Sequence, residues 1–198
     1  MKNFSFRVEP FAPAGLFLLF FSWDPAARAA VITSVLVHEA AHLAAAKLCR
    51  EKVASARLTA FGISLGFSPP HSYEEEAFVA AAGPFASFAL AALGRLRGGA
   101  FGGEVFVFSL FLGLLNLIPL ASFDGNRIIS ALLSLAFGEG AARAVSSALS
   151  YAFLFLAWVV SVYILFYSGA NFALLLFCAY IFVFTVVKKD CNSCNKVI

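Results

Sequence analysis

His38, Glu39 and His42 stand as H-E-x-x-H in a stretch whose neighbours are alanine, valine, isoleucine and leucine. On a helix, positions i and i+4 share a face, so both imidazoles point the same way. Two such nitrogens suit one Zn²⁺, and the carboxylate beside them suits a general base toward a metal-bound water. The surroundings sharpen the signal. Residues 29–46 are apolar enough to lie in a bilayer, where a charged group near a helix centre costs at least ~2.5–3.5 kcal/mol. A polar group kept at that cost marks a functional site. The bland alternative is a buried polar pair that satisfies itself by hydrogen bonding.

Two imidazoles leave a catalytic zinc one protein ligand short, because such sites hold three protein ligands and a water. The chain has three histidines, and His71 sits behind Pro69-Pro70 in a loop. Cys191 and Cys194 form a C-x-x-C at the tail, with no second pair to complete a structural zinc site. Cys178 lies in an apolar run, where a thiol packs as a small hydrophobe. Glu39 and Asp124 are the carboxylates close to apolar runs without a loop or terminus to explain them. Asp124 follows an apolar run broken at Pro119 and precedes Gly125. Irregular backbone at membrane depth is tolerated where it is buried or lines a cavity, so this break can turn Asp124 toward the metal. Read alone, Asp124-Gly125 is an ordinary turn.

The elements that must position these residues follow from composition. Of 198 residues, 62% are hydrophobic, 13% are charged and 24 are phenylalanine. Recurrent long apolar runs make this a polytopic membrane protein of all-α class, not a soluble domain. Nothing resembles a nucleic-acid-binding surface. Six runs are expected to span: 11–23, 29–48, 77–93, 101–120, 144–167 and 170–187. The first is short for a span of ~20 residues. It could instead be a signal peptide, with Ala27-Arg28-Ala29 as cleavage site, but retention fits better because cleavage would leave the H-E-x-x-H helix at the new terminus. Between the second and third runs, residues 53–67 alternate and contain Gly62 and Gly66, which predicts a short β-hairpin or re-entrant segment. That segment could pair with an extended substrate as an edge strand, or lie on the membrane as a surface loop. Residues 128–143 form a less apolar, amphipathic stretch. The whole of 1–198 is expected to be one transmembrane domain, with no room for an appended soluble module.

Six spans put both termini on one side. With the termini inside, eleven of the fourteen Lys and Arg fall inside, and only Arg28, Arg95 and Arg97 fall outside. Basic residues favour the cytoplasmic side, so the termini, His42 and Asp124 are expected there.

Asn116-x-x-Pro119-x-x-x-x-Asp124-Gly125, downstream of H-E-x-x-H, resembles the N-x-x-P-x₄-D-G motif of site-2 proteases. Ala82-Gly83-Pro84 resembles their A-G-P helix motif, although Gly-Pro alone reads as a helix kink. The order and layout resemble the stage IV sporulation protein FB type. The resemblance implies an intramembrane zinc metalloprotease in a bacterial cell membrane, with His38, His42 and Asp124 as zinc ligands and Glu39 as catalytic base. It implies that Asn116, Pro119 and Gly125 position substrate or site. It further implies a membrane-tethered protein substrate, such as a sigma-factor precursor in sporulation, and membrane regulators. Two features depart from the pattern: Asn126 stands where a second glycine is frequent, and no appended CBS or PDZ domain is expected. The rival class is a zinc transporter or a non-catalytic zinc-binding module. A transporter needs ligands along a path, and this chain offers one cluster. The sequence carries no signal for an oligomeric state.

Overall fold

The computed structural model describes residues 5–8, 24–51, 53–59, 62–67, 72–121, 123–168, and 175, 176, 178, 179 and 182. In chain order the elements are β1 (Ser5–Val8), α1 (Pro25–Leu48), β2 (Val53–Thr59), β3 (Gly62–Phe67), α2 (Tyr73–Arg97), α3 (Gly99–Leu117) and α4 (Asp124–Ser168).

Local chemistry explains the helix ends. Asp24 caps α1 by accepting a hydrogen bond from the Ala27 amide at 2.6 Å, and Pro25 opens the helix where a missing N–H costs nothing. Ser72 caps α2 through the Glu75 amide, and Glu74, Glu75 and Glu76 meet the positive end of the helix dipole. α3 stops at Leu117, short of the expected residue 120. Ile118 takes an extended ψ of 134°, as a residue before proline must, and Pro119 has no amide to continue the ladder.

α2 is the central helix and packs against α1, α3 and α4, while α1 also touches α3. The interior is small and the exterior large. Buried positions include Ala30, Ala45, Ala46, Ala80, Ala91, Ser34, Ser87 and Ser109, whereas Phe85 is 73% exposed and Leu96 is 83% exposed. That inversion suits a helix bundle in lipid, where hydrocarbon gives no reason to bury leucine and close backbone approach drives association. Gly94 and Gly102 show how close: a Cβ on Gly102 would lie 2.6 Å from the Gly94 carbonyl oxygen.

α4 is a single run of helical hydrogen bonding broken at Gly138, whose φ of 80° is a left-handed value that glycine adopts freely. Asn126 touches Ser146 and Ser150 across this break, so the two halves of α4 lie side by side. The amphipathic stretch 128–143 and the apolar run 144–167 therefore meet at a corner at Gly138 rather than at residue 143.

Among the described residues four helices are long and apolar enough to cross a membrane, Pro25–Leu48, Tyr73–Arg97, Gly99–Leu117 and Asp124–Tyr167, and the chain is an integral membrane protein. These four cover the expected runs at 29–48, 77–93, 101–120 and 144–167. The run at 11–23 lies outside the described residues, and only five residues of 170–187 are described, all helical. Beside the helices, β2 pairs in parallel with β1 and antiparallel with β3, with Thr59 opposite Gly62. β3 contacts α1, the helix that carries H-E-x-x-H.

Candidate metal centre

α1 presents Ser34, His38 and His42 at successive turns of its buried face. α2 answers with Val79, Gly83 and Ser87 at the same four-residue spacing. Asp124 enters from the start of α4, after the 118–123 break. His38 is 3% exposed, His42 4% and Asp124 8%, so all three polar groups sit inside the bundle.

Their ligand atoms form a triangle. His38 Nε2 lies 3.2 Å from Asp124 Oδ2, His42 Nε2 lies 3.1 Å from the same oxygen, and the two Nε2 atoms are 3.2 Å apart. The imidazole planes cross at 80°, so the two nitrogens converge without the rings stacking. A tetrahedral ion with ~2.0 Å bonds has ligand–ligand edges of about 3.3 Å, close to this triangle.

Proton accounting gives the same answer. The Val79 carbonyl, 2.7 Å from His42 Nδ1, can only accept, so Nδ1 carries the hydrogen and Nε2 of the neutral ring offers a lone pair. His38 Nδ1 lies 2.9 Å from Ser87 Oγ, and the same tautomer follows when the ring donates there. Two nitrogen lone pairs and a carboxylate oxygen then face one point. One proton relieves a single edge of the triangle; a metal cation satisfies all three atoms at once. His38, His42 and Asp124 are thus positioned to hold a metal ion, and they are the one such group among the described residues.

Gly83 makes the approach of α2 possible. A Cβ there would collide with His42 Nε2, and it would lie 2.6 Å from His42 Cε1 and 2.8 Å from His38 Cε1. The other side of the centre is charged. Asp124 turns Oδ1 to Arg127 at 3.7 Å, and Arg127 also reaches Glu76 of α2 at 4.0 Å. Glu39 follows His38 on α1 and is half-buried.

The remaining residues singled out from sequence have other surroundings. Asn116 donates from Nδ2 to the Leu112 carbonyl at 3.0 Å, a bond within its own helix. Pro119 is buried, and its carbonyl accepts from Ser150 at 2.8 Å. Gly125 is buried against the end of α3, where a Cβ would collide with the Leu117 carbonyl and lie 2.9 Å from Leu117 Cα. Sequence reasoning missed Ser87, the Val79 carbonyl and Arg127. The i, i+4, i+8 spacing of Val79, Gly83 and Ser87 was a readable signal for the first two, because it puts them on one helical face.

No protein-family model matches the chain, and no curated protein matches it. Among solved structures it is similar to a site-2 protease from Methanocaldococcus jannaschii, with 20% identity, a TM-score of 0.69, and coverage of 89% of this chain and 86% of that one. Over 89% of its length, then, this chain has the fold of a site-2 protease.

Proposed function

We propose that the chain is an intramembrane zinc metalloprotease that cleaves a membrane-tethered protein substrate. The observation that carries this reading is the convergence of two imidazole lone pairs and one carboxylate oxygen at 3.1–3.2 Å inside apolar helices. Its N₂O donor set, buried and fixed by neighbours on α2, suits zinc. When bound, zinc would supply Lewis acidity toward a peptide carbonyl and would acidify water. His38, His42 and Asp124 would hold the ion, and the Val79 carbonyl and Ser87 hold the rings in register. Glu39, next to His38 and half-buried, takes the proton that hydrolysis removes from water and returns it to the leaving amide nitrogen. Apolar helices keep bulk water away from the reacting groups.

The fold likeness supports the protease class, and the N-x-x-P-x₄-D-G resemblance supports the finer reading of a tethered precursor such as a pro-sigma factor, with a bacterial cell membrane as the setting. Glu39→Gln tests the catalytic assignment. Cleavage of a co-expressed single-span substrate is expected to fall by 10²- to 10⁴-fold, the range for loss of a general base, while bound zinc stays at the wild-type level. Undiminished cleavage would remove Glu39 from the chemistry, and loss of zinc would make it a structural group.

A further inference from the structure

Asp124 is the one ligand that comes from outside a helix interior, so something must fix the 118–123 break that delivers it. The structure shows two anchors from the second half of α4. One is apolar: Leu120 packs on Leu154, with Ile118 and Phe123 beside them. The other is polar and lies two residues past the ligand. Ser146 donates its hydroxyl to Asn126 Oδ1 at 2.7 Å, and Ser150 lies 3.1 Å from the same oxygen and 2.8 Å from the Pro119 carbonyl. Ser150 also contacts the Ser146 carbonyl at 2.9 Å. It has one proton to share among these acceptors, so Ser146 is the firmer donor to the amide, and Ser150 links the amide to the break. Both serines are buried in a helix otherwise rich in exposed apolar side chains.

We propose that Asn126, Ser146 and Ser150 form a clasp that positions Asp124 for the metal, with Asn126 as the positioning residue. The proposal rests on the metal-centre reading above. Asn126 holds the first turn of α4 from one side of Asp124, and the Pro119 carbonyl holds the break from the other. A glycine at 126 has no group to make this link, so the side chain that departs from the D-G-G pattern carries the clasp. A helix first turn tied at one point can swing; tied at both, it presents Oδ2 to the imidazoles and Oδ1 to Arg127.

The test uses the full chain, purified in detergent and titrated with Co²⁺, whose ligand-field absorption reports coordination geometry. Metal affinity and apo thermal midpoint are measured together. For Asn126→Ala we expect affinity about 10- to 100-fold weaker and an altered absorption envelope, the usual consequence of losing a ligand's supporting contact. Ser150→Ala is expected to shift both in the same direction, and Ser150→Thr, which keeps the hydroxyl, to restore them. Should Asn126→Ala fail to fold, the Ser150 pair decides. A lowered thermal midpoint with wild-type affinity and spectrum would reduce the clasp to a structural contact and overturn the proposal. Failure of the parent reading looks different: wild type itself would show no Co²⁺ band that His38→Ala abolishes.

Discussion

Gly83 shows how one missing side chain can set a metal centre. The imidazoles of His38 and His42 occupy the volume its Cβ would fill. A methyl group there must push the rings off their Nδ1 partners, Ser87 and the Val79 carbonyl, or push α2 away from α1. Gly83→Ala is therefore expected to weaken zinc binding by at least about 10-fold, as ligand-supporting contacts do, while helical circular dichroism is unchanged. Chelator competition on the purified protein measures it; wild-type affinity would show that the rings can yield without cost. The sequence flagged Ala82-Gly83-Pro84 but left a kink and a functional contact as equals, because a spacing does not say which face of α2 meets which neighbour. The two histidines were legible because i, i+4 geometry lies within one helix. Asp124 was legible through the shortage of other carboxylates. Arg127 and Ser87 were not, since each gains its meaning from an element distant in sequence. Asn116 shows the reverse: its motif position points to the site, whereas its amide bonds Leu112.

At the scale of elements, α1, α2 and α3 are held by small residues and a few hydroxyls. Ser34, one turn before His38, bonds Ser109 of α3 at 2.8 Å and also reaches its own Ala30 carbonyl. Both serines are fully buried, so each finds its partner inside the bundle rather than in water. Hydrogen bonds between membrane helices average only about 0.6 kcal/mol in mutant cycles, because helices apart in the membrane also find partners. A Ser34→Ala, Ser109→Ala double-mutant cycle is expected to give a coupling of that size, read by unfolding in detergent. A coupling near zero would leave the α1–α3 contact to backbone packing alone. Hydropathy located these helices well because length and apolarity are local properties. It placed their ends less well: Pro119 ends α3 through its effect on Ile118, and the corner at Gly138 depends on a positive φ that composition does not announce. β1 escaped notice because four residues, Ser5–Val8, carry no periodicity on their own and pair only once β2 exists.

For the molecule as a whole, orientation decides which compartment supplies water to the centre. α2 is 25 residues long, which at 1.5 Å per residue spans about 37 Å, more than the hydrocarbon thickness of about 30 Å. Its two ends must therefore face opposite sides. The Glu74–Glu76 end is the one that Arg127 and the Asp124 turn approach, and the far end carries Arg95 and Arg97. Lys47 lies in the last turn of α1, and Arg50 and Lys52 follow the helix in sequence; this C-terminal end holds His42 and packs near Val79. The basic-residue bias predicts that the Glu74 end, and the metal centre nearer to it, faces the cytoplasm. In a background with the native cysteines replaced, Arg97→Cys is expected to react with a membrane-impermeant maleimide added to intact cells. Glu74→Cys, exposed at the other end of the same helix, is expected to react only after permeabilisation. Reversed labelling would turn the molecule over and open the centre to the outside. Labelling of both sites in intact cells would break the premise that α2 crosses the bilayer.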